Sequence, residues 1–298
     1  MLMTSLLMAA SLSGAQLIAA DTGDDYTREI ESWRAGRLER LQSPTGWLSL
    51  VGLEWLKPGR NTVGAASDND IVIAGAPAHL GSVDWDGDKV NISLKADSGA
   101  LIDGQLLGSA EMLDDSHEKP TTVSFGTTRF YLVDRAGGKK GLRIKDSKAE
   151  TRTHFLGLDY YPVDPSWHIE ARWVAFDPPH TLEIPNVLGT IDKMTVPGKA
   201  VFEHEGKTFE LLPVLETEDA DELFYIIADK TSGKETYGAG RFFYSAMPKD
   251  GKVVLDFNKA YNPPCAFTPY ATCPLAPPEN RMPVAVRAGE KKYRGSKH

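Results

Sequence analysis

The apolar and polar positions of this 298-residue chain follow three successive patterns. Residues 1–20 carry no charge and are rich in leucine. Over residues 21–41, apolar side chains recur three or four positions apart with charged residues between them, which predicts an amphipathic helix. From residue 57 onwards, short alternating runs are separated by polar turns, a pattern typical of β-strands. The sequence therefore predicts an all-β protein with a short N-terminal helix.

The first β-rich part covers residues 57–150. Asp-Gly pairs at 86–87 and 103–104 predict tight turns, because glycine tolerates a positive φ. Short strands at regular intervals between such turns are typical of a sandwich or a barrel. The predicted strands lie at 70–73, 82–85, 89–94, 122–125 and 129–133.

A second β-rich part covers residues 151–298. Proline and glycine at 177–179 and 184–189 predict bends between sheet edges. Its predicted strands lie at 169–176, 199–205, 207–212, 223–229, 240–245 and 253–257. The predicted organisation is a segment at 1–20, a helical arm at 21–56, a β-sandwich at 57–150 and a C-terminal β domain at 151–298.

Composition limits the class of partner. The formal charge is −8 and the sequence pI is near 5.4. Nucleic acids and anionic membrane surfaces attract an excess of lysine and arginine, so this charge argues against both. Small molecules are the favoured ligands. The sequence names neither a protein partner nor a cofactor.

The uncharged segment at 1–20 resembles an export signal. Ala19 and Ala20 supply small residues for a signal peptidase, although Ile18 departs from the usual pattern and a basic N-terminal charge is absent. The prediction is cleavage and release into the periplasm or the medium, with no stable membrane span afterwards. A membrane anchor or a misplaced start codon ahead of a cytoplasmic protein are the alternatives.

The first β-rich part resembles the forkhead-associated type of β-sandwich. Residues 64–73, read as Gly-Ala-Ala-Ser-Asp-Asn-Asp-Ile-Val-Ile, carry the resemblance, and the turns at 101–104 and 125–126 agree with it. Ala65 stands where that family has its phosphate-binding arginine, and no Ser-Arg-x-His follows near His79. Asp103 replaces the asparagine of Asn-Gly. The resemblance thus implies the sandwich without the phosphopeptide-binding residues.

The passage from 256 to 281 is the most site-like part of the chain. It contains six prolines among aromatic, amide and charged residues. Each proline fixes its own φ and restricts the residue before it, so such a loop is stiff. A stiff loop that carries polar side chains is typical of a preorganised site.

This passage also resembles the C-terminal signature of the domain of unknown function family numbered 1684. Three further passages agree, at 161–165, 185–190 and 231–242, so the resemblance extends over most of the chain after the signal segment. Because the family is named for lacking a known function, the resemblance implies a fold and a site but no activity. His168 departs from it, at a position where that family is expected to have arginine.

The two cysteines, Cys265 and Cys273, admit three interpretations. A disulfide is favoured if the protein is exported. A buried, inert thiol comes second. A nucleophile at Cys265, activated by His154 or His168, comes last, because no catalytic cysteine motif surrounds it. The Cys-x7-Cys spacing and the scattered histidines predict no metal site.

Arg241 and Arg281 are the predicted grip for an anion, with tyrosine hydroxyls and amide groups orienting it. The alternative is a structural ion pair of either arginine with Asp256 or Glu279. The candidate ligand-binding residues are Tyr237, Arg241, Asp256, Asn258, Tyr261, Asn262, Cys265, Glu279, Asn280, Arg281 and His168. Two functions follow: binding or processing of a small anionic molecule in a C-terminal pocket, or a non-catalytic interaction or structural role with a disulfide-braced loop.

Overall fold

A computed structural model describes residues 22–296, so the predicted export signal lies outside the described residues. The predicted helix is α1 (Thr22–Gln42). Acidic side chains in its first turn and Arg40 in its last complement the helix dipole. Gly46 turns the chain directly after the helix, where a Cβ would lie 2.5 Å from the carbonyl oxygens of Arg40 and Leu41. Only glycine fits so close to this helix end.

The first sheet of the β-sandwich has five strands. Their order is β1-β10-β9-β8-β6, and every neighbouring pair is antiparallel. The strands are β1 (Leu50–Trp55), β6 (Leu101–Ile102), β8 (Thr122–Phe125), β9 (Thr128–Arg135) and β10 (Lys139–Asp146). Since β1 pairs with β10, residues 50–55 belong to the sandwich, and the predicted helical arm at 21–56 is too long at its C-terminal end.

The second sheet also has five strands, in the order β3-β2-β4-β5-β7. They are β2 (Gly59–Gly64), β3 (Ile71–Val72), β4 (Gly81–Asp86), β5 (Lys89–Leu94) and β7 (Ser109–Glu111). Alternate residues of both sheets, such as Val83 and Ile92 opposite Phe130 and Leu142, form one buried core. The predicted sandwich is therefore confirmed.

The C-terminal part contains a four-stranded antiparallel sheet, β13-β12-β11-β16, and a separate pair, β14-β15. These strands are β11 (His168–Pro185), β12 (Ile191–His204), β13 (Lys207–Leu211), β14 (Glu222–Ile227), β15 (Arg241–Ala246) and β16 (Lys252–Asp256). A second core, with Phe202 and Leu255 on one side and Tyr225 and Phe243 on the other, joins the two sheets. The all-β fold class is confirmed. A one-turn helix, α2 (Glu150–Thr153), connects the sandwich to this part.

A third core unites the arm with the C-terminal part. Leu41 of α1 and Leu48 after it are fully buried together with Phe224, Phe242 and Phe267. The arm is thus packed into the molecule by the hydrophobic effect. Within residues 22–296, no helix is both long and apolar enough to cross a membrane.

Candidate ligand-binding cleft

A cleft of about 980 Å³ lies where α1, the sandwich and the C-terminal sheets meet. Trp33, Arg37 and Arg40 of α1 line it. Their spacing of four and three residues places them on one face of the helix. Ligand sites are commonly concave and formed where elements from different parts of a fold meet, so this cleft is the candidate site.

Five aromatic side chains form one side of the cleft, which we term the aromatic wall: Trp33, Phe224, Phe242, Tyr244 and Tyr261. The rings are contiguous, with centroid distances of 4.9 Å from Phe224 to both Phe242 and Tyr244. Tyr261 lies 6.5 Å from both Tyr244 and Trp33. Such a wall supplies apolar area and ring faces for stacking with a flat ligand.

Both tyrosines of the aromatic wall hold their protons firmly. Burial raises the pKa of Tyr261 to about 12. Burial, then the neighbouring Tyr261 and Glu216, raises the pKa of Tyr244 well above its ordinary value. The Tyr244 hydroxyl donates to Glu216 Oε2 at 2.8 Å. Both side chains therefore stay protonated, and their environment disfavours the phenolate that a base or nucleophile requires.

Arg37 attaches the helix to the floor of the cleft. Its Nε donates to Glu290 Oε1 at 3.0 Å, and its Nη2 donates to the carbonyl oxygen of Asn262 at 3.0 Å. The guanidinium lies 4.5 Å above the Tyr261 ring. Glu290 is 0% exposed and also accepts the backbone N–H of Asn262 at 2.8 Å. Two guanidinium nitrogens of Arg37 are thus bonded within the protein, and Glu290 balances its charge.

Arg40, one turn further along α1, has the opposite environment. Its side chain is exposed and lines the cleft. Among the described residues, no acceptor or counter-ion contacts its guanidinium. It is a free arginine beside an aromatic wall.

The sandwich contributes a cationic side to the cleft. Arg135 makes a two-pronged ion pair with Asp115, at 2.8 and 2.5 Å. Arg143 is 4% exposed, yet its contacts to Asp115 and to the Thr272 hydroxyl are long, at 3.3 and 3.5 Å. Its Nε has no hydrogen-bond partner among the described residues. One carboxylate therefore serves two arginines.

A polar cluster closes the cleft at the end of β16. Asp256 Oδ1 accepts the Tyr26 hydroxyl at 2.8 Å, and its Oδ2 lies 3.4 Å from Lys259 Nζ. His168 stacks on the Tyr26 ring at 4.8 Å. Burial opposes the charge of Lys259, but Glu29 and Asp256 outweigh it and raise the pKa of Lys259. This end of the cleft contains paired charges.

The structure does not bring Arg241 and Arg281 to one cavity. Arg241 is 1% exposed, pairs with Asp229 Oδ2 at 2.9 Å, and donates to the carbonyl oxygens of Val286, Ala288 and Glu290. It lines neither the cleft nor the hollow that contains Arg281. Its Nε has no hydrogen-bond partner among the described residues, but the burial of the side chain keeps this nitrogen away from a ligand. Its structural partner is Asp229, not Asp256 or Glu279 as the sequence suggested.

Arg281 lies in a separate hollow of about 420 Å³, beside Lys230 and Ala276. It is exposed, and its Nε donates to the carbonyl oxygen of Ala276 at 3.3 Å. Glu279 is also exposed, whereas Tyr237 is packed into the hydrophobic core beneath the cleft. These three predicted residues therefore lie outside the cleft.

The three predicted asparagines are buried and bonded within the protein. Asn258 joins Tyr26 and the backbone of Asp164, at 2.8 to 2.9 Å. Asn262 donates to the carbonyl oxygen of Lys291. Asn280 makes two hydrogen bonds of 2.9 Å with the backbone of Leu212. Of the predicted ligand-binding residues, only His168, Asp256 and Tyr261 line the cleft.

Cys265 and Cys273 form a disulfide, which overturns the hypothesis of a nucleophilic Cys265. Both residues are buried and belong to the core beneath the cleft. Cys273 also lines the cleft, beside Thr272 and Pro274. Within the described residues, no group of histidine, cysteine and carboxylate side chains is arranged to hold a metal ion.

Replacing both cysteines by alanine is expected to destabilise the protein by about 2–3 kcal/mol, because the bridge restricts a short loop in the unfolded chain. Urea unfolding of the oxidised protein and of the C265A/C273A variant measures the difference. Reduction of the wild-type protein should reproduce it. Equal stability of all three forms would contradict a structural role for the bridge.

Sequence reasoning missed the residues that line the cleft from α1 and from the sandwich. The spacing of Trp33, Arg37 and Arg40 was a usable signal, because a helix face that mixes tryptophan with arginine is unusual for a solvated arm. Cations at alternate positions, Arg143 and Lys145, were a second signal, although the sequence analysis predicted no strand there. Neither showed that the two surfaces face each other.

The C-terminal part is similar to a known family. Residues 153–291 match the family described as "Protein of unknown function (DUF1684)", and the four passages that carried the resemblance all lie within these bounds. The resemblance predicted from sequence is confirmed there. The residues that line the cleft from α1 and from the sandwich lie outside the matched range.

Three solved structures are similar to parts of the chain. The solution NMR structure of an uncharacterised protein from Haloarcula marismortui is 28% identical, over 48% of this chain and 80% of that chain, with a TM-score of 0.41. A structure from a study of "phosphothreonine-dependent FHA domain interactions" is 12% identical, over 31% of this chain and 92% of that chain, and a second FHA structure is 13% identical, over 31% and 88%. Both have a TM-score of 0.22. No curated protein matches the chain.

Proposed function

We propose that this protein binds a small organic molecule with an anionic group in the cleft between α1, the sandwich and the C-terminal sheets. The observation that carries the proposal is the pairing of a free arginine, Arg40, with the aromatic wall. A cavity of about 980 Å³ has room for a molecule of this size.

The two parts of the site suit two parts of one ligand. The aromatic wall offers ring faces to a flat or apolar portion, and arginine binds carboxylates and phosphates through paired N–H donors. Arg37 supports the wall by stacking on Tyr261, while its charge is balanced by Glu290. Arg40 is therefore the residue of α1 with capacity to bind an anion.

Replacing Arg40 by alanine is expected to abolish ligand-dependent stabilisation without lowering the melting temperature of the free protein. A screen of carboxylates, phosphates and sugar derivatives should find compounds that raise the melting temperature, since binding to the native state alone stabilises it. The matched control is Arg60→Ala, which removes an exposed arginine outside the cleft. Ligands that stabilise R40A as well as R60A would remove Arg40 from the site.

A screen without hits would favour the second function, a non-catalytic interaction or structural role. The observation that favours it is the burial of the Cys265–Cys273 bridge in the core, which makes the loop a brace for the packing of α1.

A disulfide also supports export, because cytoplasmic thiols are kept reduced. Extraction of the protein from its host into an alkylating reagent tests this, and alkylated cysteines would favour the cytoplasmic alternative.

A further inference from the structure

The paired strands β9 and β10 carry an excess of positive charge on the face beside the cleft. Arg129 lies opposite Lys145, and Tyr131 opposite Arg143, in the antiparallel register. Residues directly opposite each other share a face, so these four side chains form one surface, which we term the cationic face. Trp47 covers it, with its ring 5.2 Å from the Arg143 guanidinium and 5.3 Å from Lys145 Nζ.

Counter-charges on this face are too few. Asp115 is held closely by Arg135 and reaches Arg143 only at 3.3 Å. No carboxylate of the described residues pairs with Lys145, whose ammonium donates instead to the carbonyl oxygen of Thr45 at 2.6 Å. The Arg129 guanidinium has neither a hydrogen bond nor an ion pair among the described residues. Among the described residues, the only counter-charge of Arg129, Arg143 and Lys145 is thus the Asp115 carboxylate, which also pairs with Arg135.

The pKa of Lys145 reflects the same excess of positive charge. Burial, then the charges of Arg143 and Arg129, lowers the pKa of Lys145 to about 8. The remaining groups that face it are the rings of Trp47 and Tyr131 and the Thr45 carbonyl, none of which carries a charge at neutral pH. An anion bound at this position would relieve the repulsion and favour the charged lysine.

From this arrangement we infer that the cationic face is a phosphate-binding subsite at the edge of the cleft, formed by Arg129, Arg143 and Lys145 beside Trp47. The inference rests on the proposed function, because it names the chemistry of the anionic group that enters the cleft. A phosphate dianion suits three cations better than a single carboxylate does. Arginine and lysine are also the side chains that recognise phosphate most often.

The chemistry is shared by inorganic phosphate and by the phosphate monoester of a larger molecule. Trp47 and Arg143 line the cleft itself, so an ester at this subsite would extend its organic part into the cleft and towards the aromatic wall. A monoester with an aromatic group is therefore expected to bind several-fold more tightly than inorganic phosphate. Equal affinity would identify free phosphate as the ligand of the subsite.

The experiment is an NMR titration of the full-length protein with ¹³C-labelled lysine, in which the spectrum of K145Q identifies the Lys145 signal. Inorganic phosphate and phenyl phosphate are added separately, each against sodium chloride at matched ionic strength. Either phosphate is expected to raise the Lys145 titration midpoint from about 8 by at least about one pH unit. Sodium chloride is expected to leave it in place.

Two variants separate a binding site from general attraction of anions. Arg129→Gln should weaken phosphate binding about three- to tenfold, since it removes one half-buried cation of the subsite. Arg60→Gln, at an exposed position on β2, should leave it unchanged. A midpoint that moves equally in phosphate and chloride, or equal affinities of the two variants, would overturn the inference.

Failure of this inference and failure of the proposed function give different results. If neither phosphate affects Lys145 while ligands in the stability screen still depend on Arg40, the cleft binds another kind of anion and the phosphate subsite is wrong. If phosphate binds beside Lys145 and no ligand depends on Arg40, the subsite stands and the proposed use of the cleft falls.

Discussion

Replacing Arg241 by alanine is expected to destabilise the protein by about 3–5 kcal/mol, because the change leaves the Asp229 carboxylate buried without its counter-ion. Arg241 also donates to the Val286 carbonyl at 2.8 Å and to the Ala288 carbonyl. In R241A both carbonyl groups lose their hydrogen-bond donor, and Asp229 loses its counter-ion. Arg241 therefore holds the segment that follows residue 285 against β15.

Urea unfolding measures this change, with Arg281→Ala as the matched control. Arg281 is exposed and has one hydrogen bond, at 3.3 Å, so its loss should cost less than about 1 kcal/mol. The double variant D229N/R241M should recover part of the stability, since it removes both charges. A stability of R241A within about 1 kcal/mol of the wild type would show that Asp229 finds another partner.

Glu290→Ala is expected to have a comparable effect, about 3–5 kcal/mol, and to loosen α1 from the rest of the protein. The substitution leaves the Arg37 guanidinium buried with no counter-ion, and the backbone N–H of Asn262 loses its acceptor. Hydrogen exchange of α1 should accelerate together with the fall in stability, since this ion pair joins the helix to the C-terminal part.

The control is Glu183→Ala, which removes an exposed carboxylate 3.8 Å from Lys193. Exposed ion pairs contribute about 0–1 kcal/mol, so this variant should unfold near the wild type. If hydrogen exchange of α1 stayed slow in E290A, apolar packing around Leu41 and Leu48 alone would be holding the helix.

The first of these expectations gives a structural role to Arg241, which the sequence analysis predicted to contact a ligand. A proline-rich passage with arginine, asparagine and tyrosine looks the same in a sequence whether its polar groups face a cavity or bond to the chain's own backbone. Asn258, Asn262 and Asn280 form hydrogen bonds within the chain, and each is at most 1% exposed. The passage is stiff, as its prolines predict, and its stiffness serves the packing around it.

Local patterns did identify much of the fold. The charged and apolar alternation after residue 20 specified α1, and the turns at Gly87 and Gly104, with φ values of 59° and 78°, fall where Asp-Gly pairs predicted them. The likeness of residues 64–73 to a known sandwich indicated the first β-rich part, because turn chemistry is written in a few neighbouring residues. The proximity of Cys265 and Cys273 in sequence made their disulfide predictable.

By itself, then, the sequence determined the helix, many of the strands and the all-β class, and it favoured the bridge, since each depends on residues that are close along the chain. Tertiary structure decided which polar groups remain free. Arg40, Arg143 and Tyr244 meet at one cleft although about a hundred residues separate each from the next, whereas Arg241 is satisfied by Asp229 and by carbonyl groups that follow residue 285. A charge is available to a ligand only if the fold leaves it without a partner, and partners are assigned by packing across the whole chain.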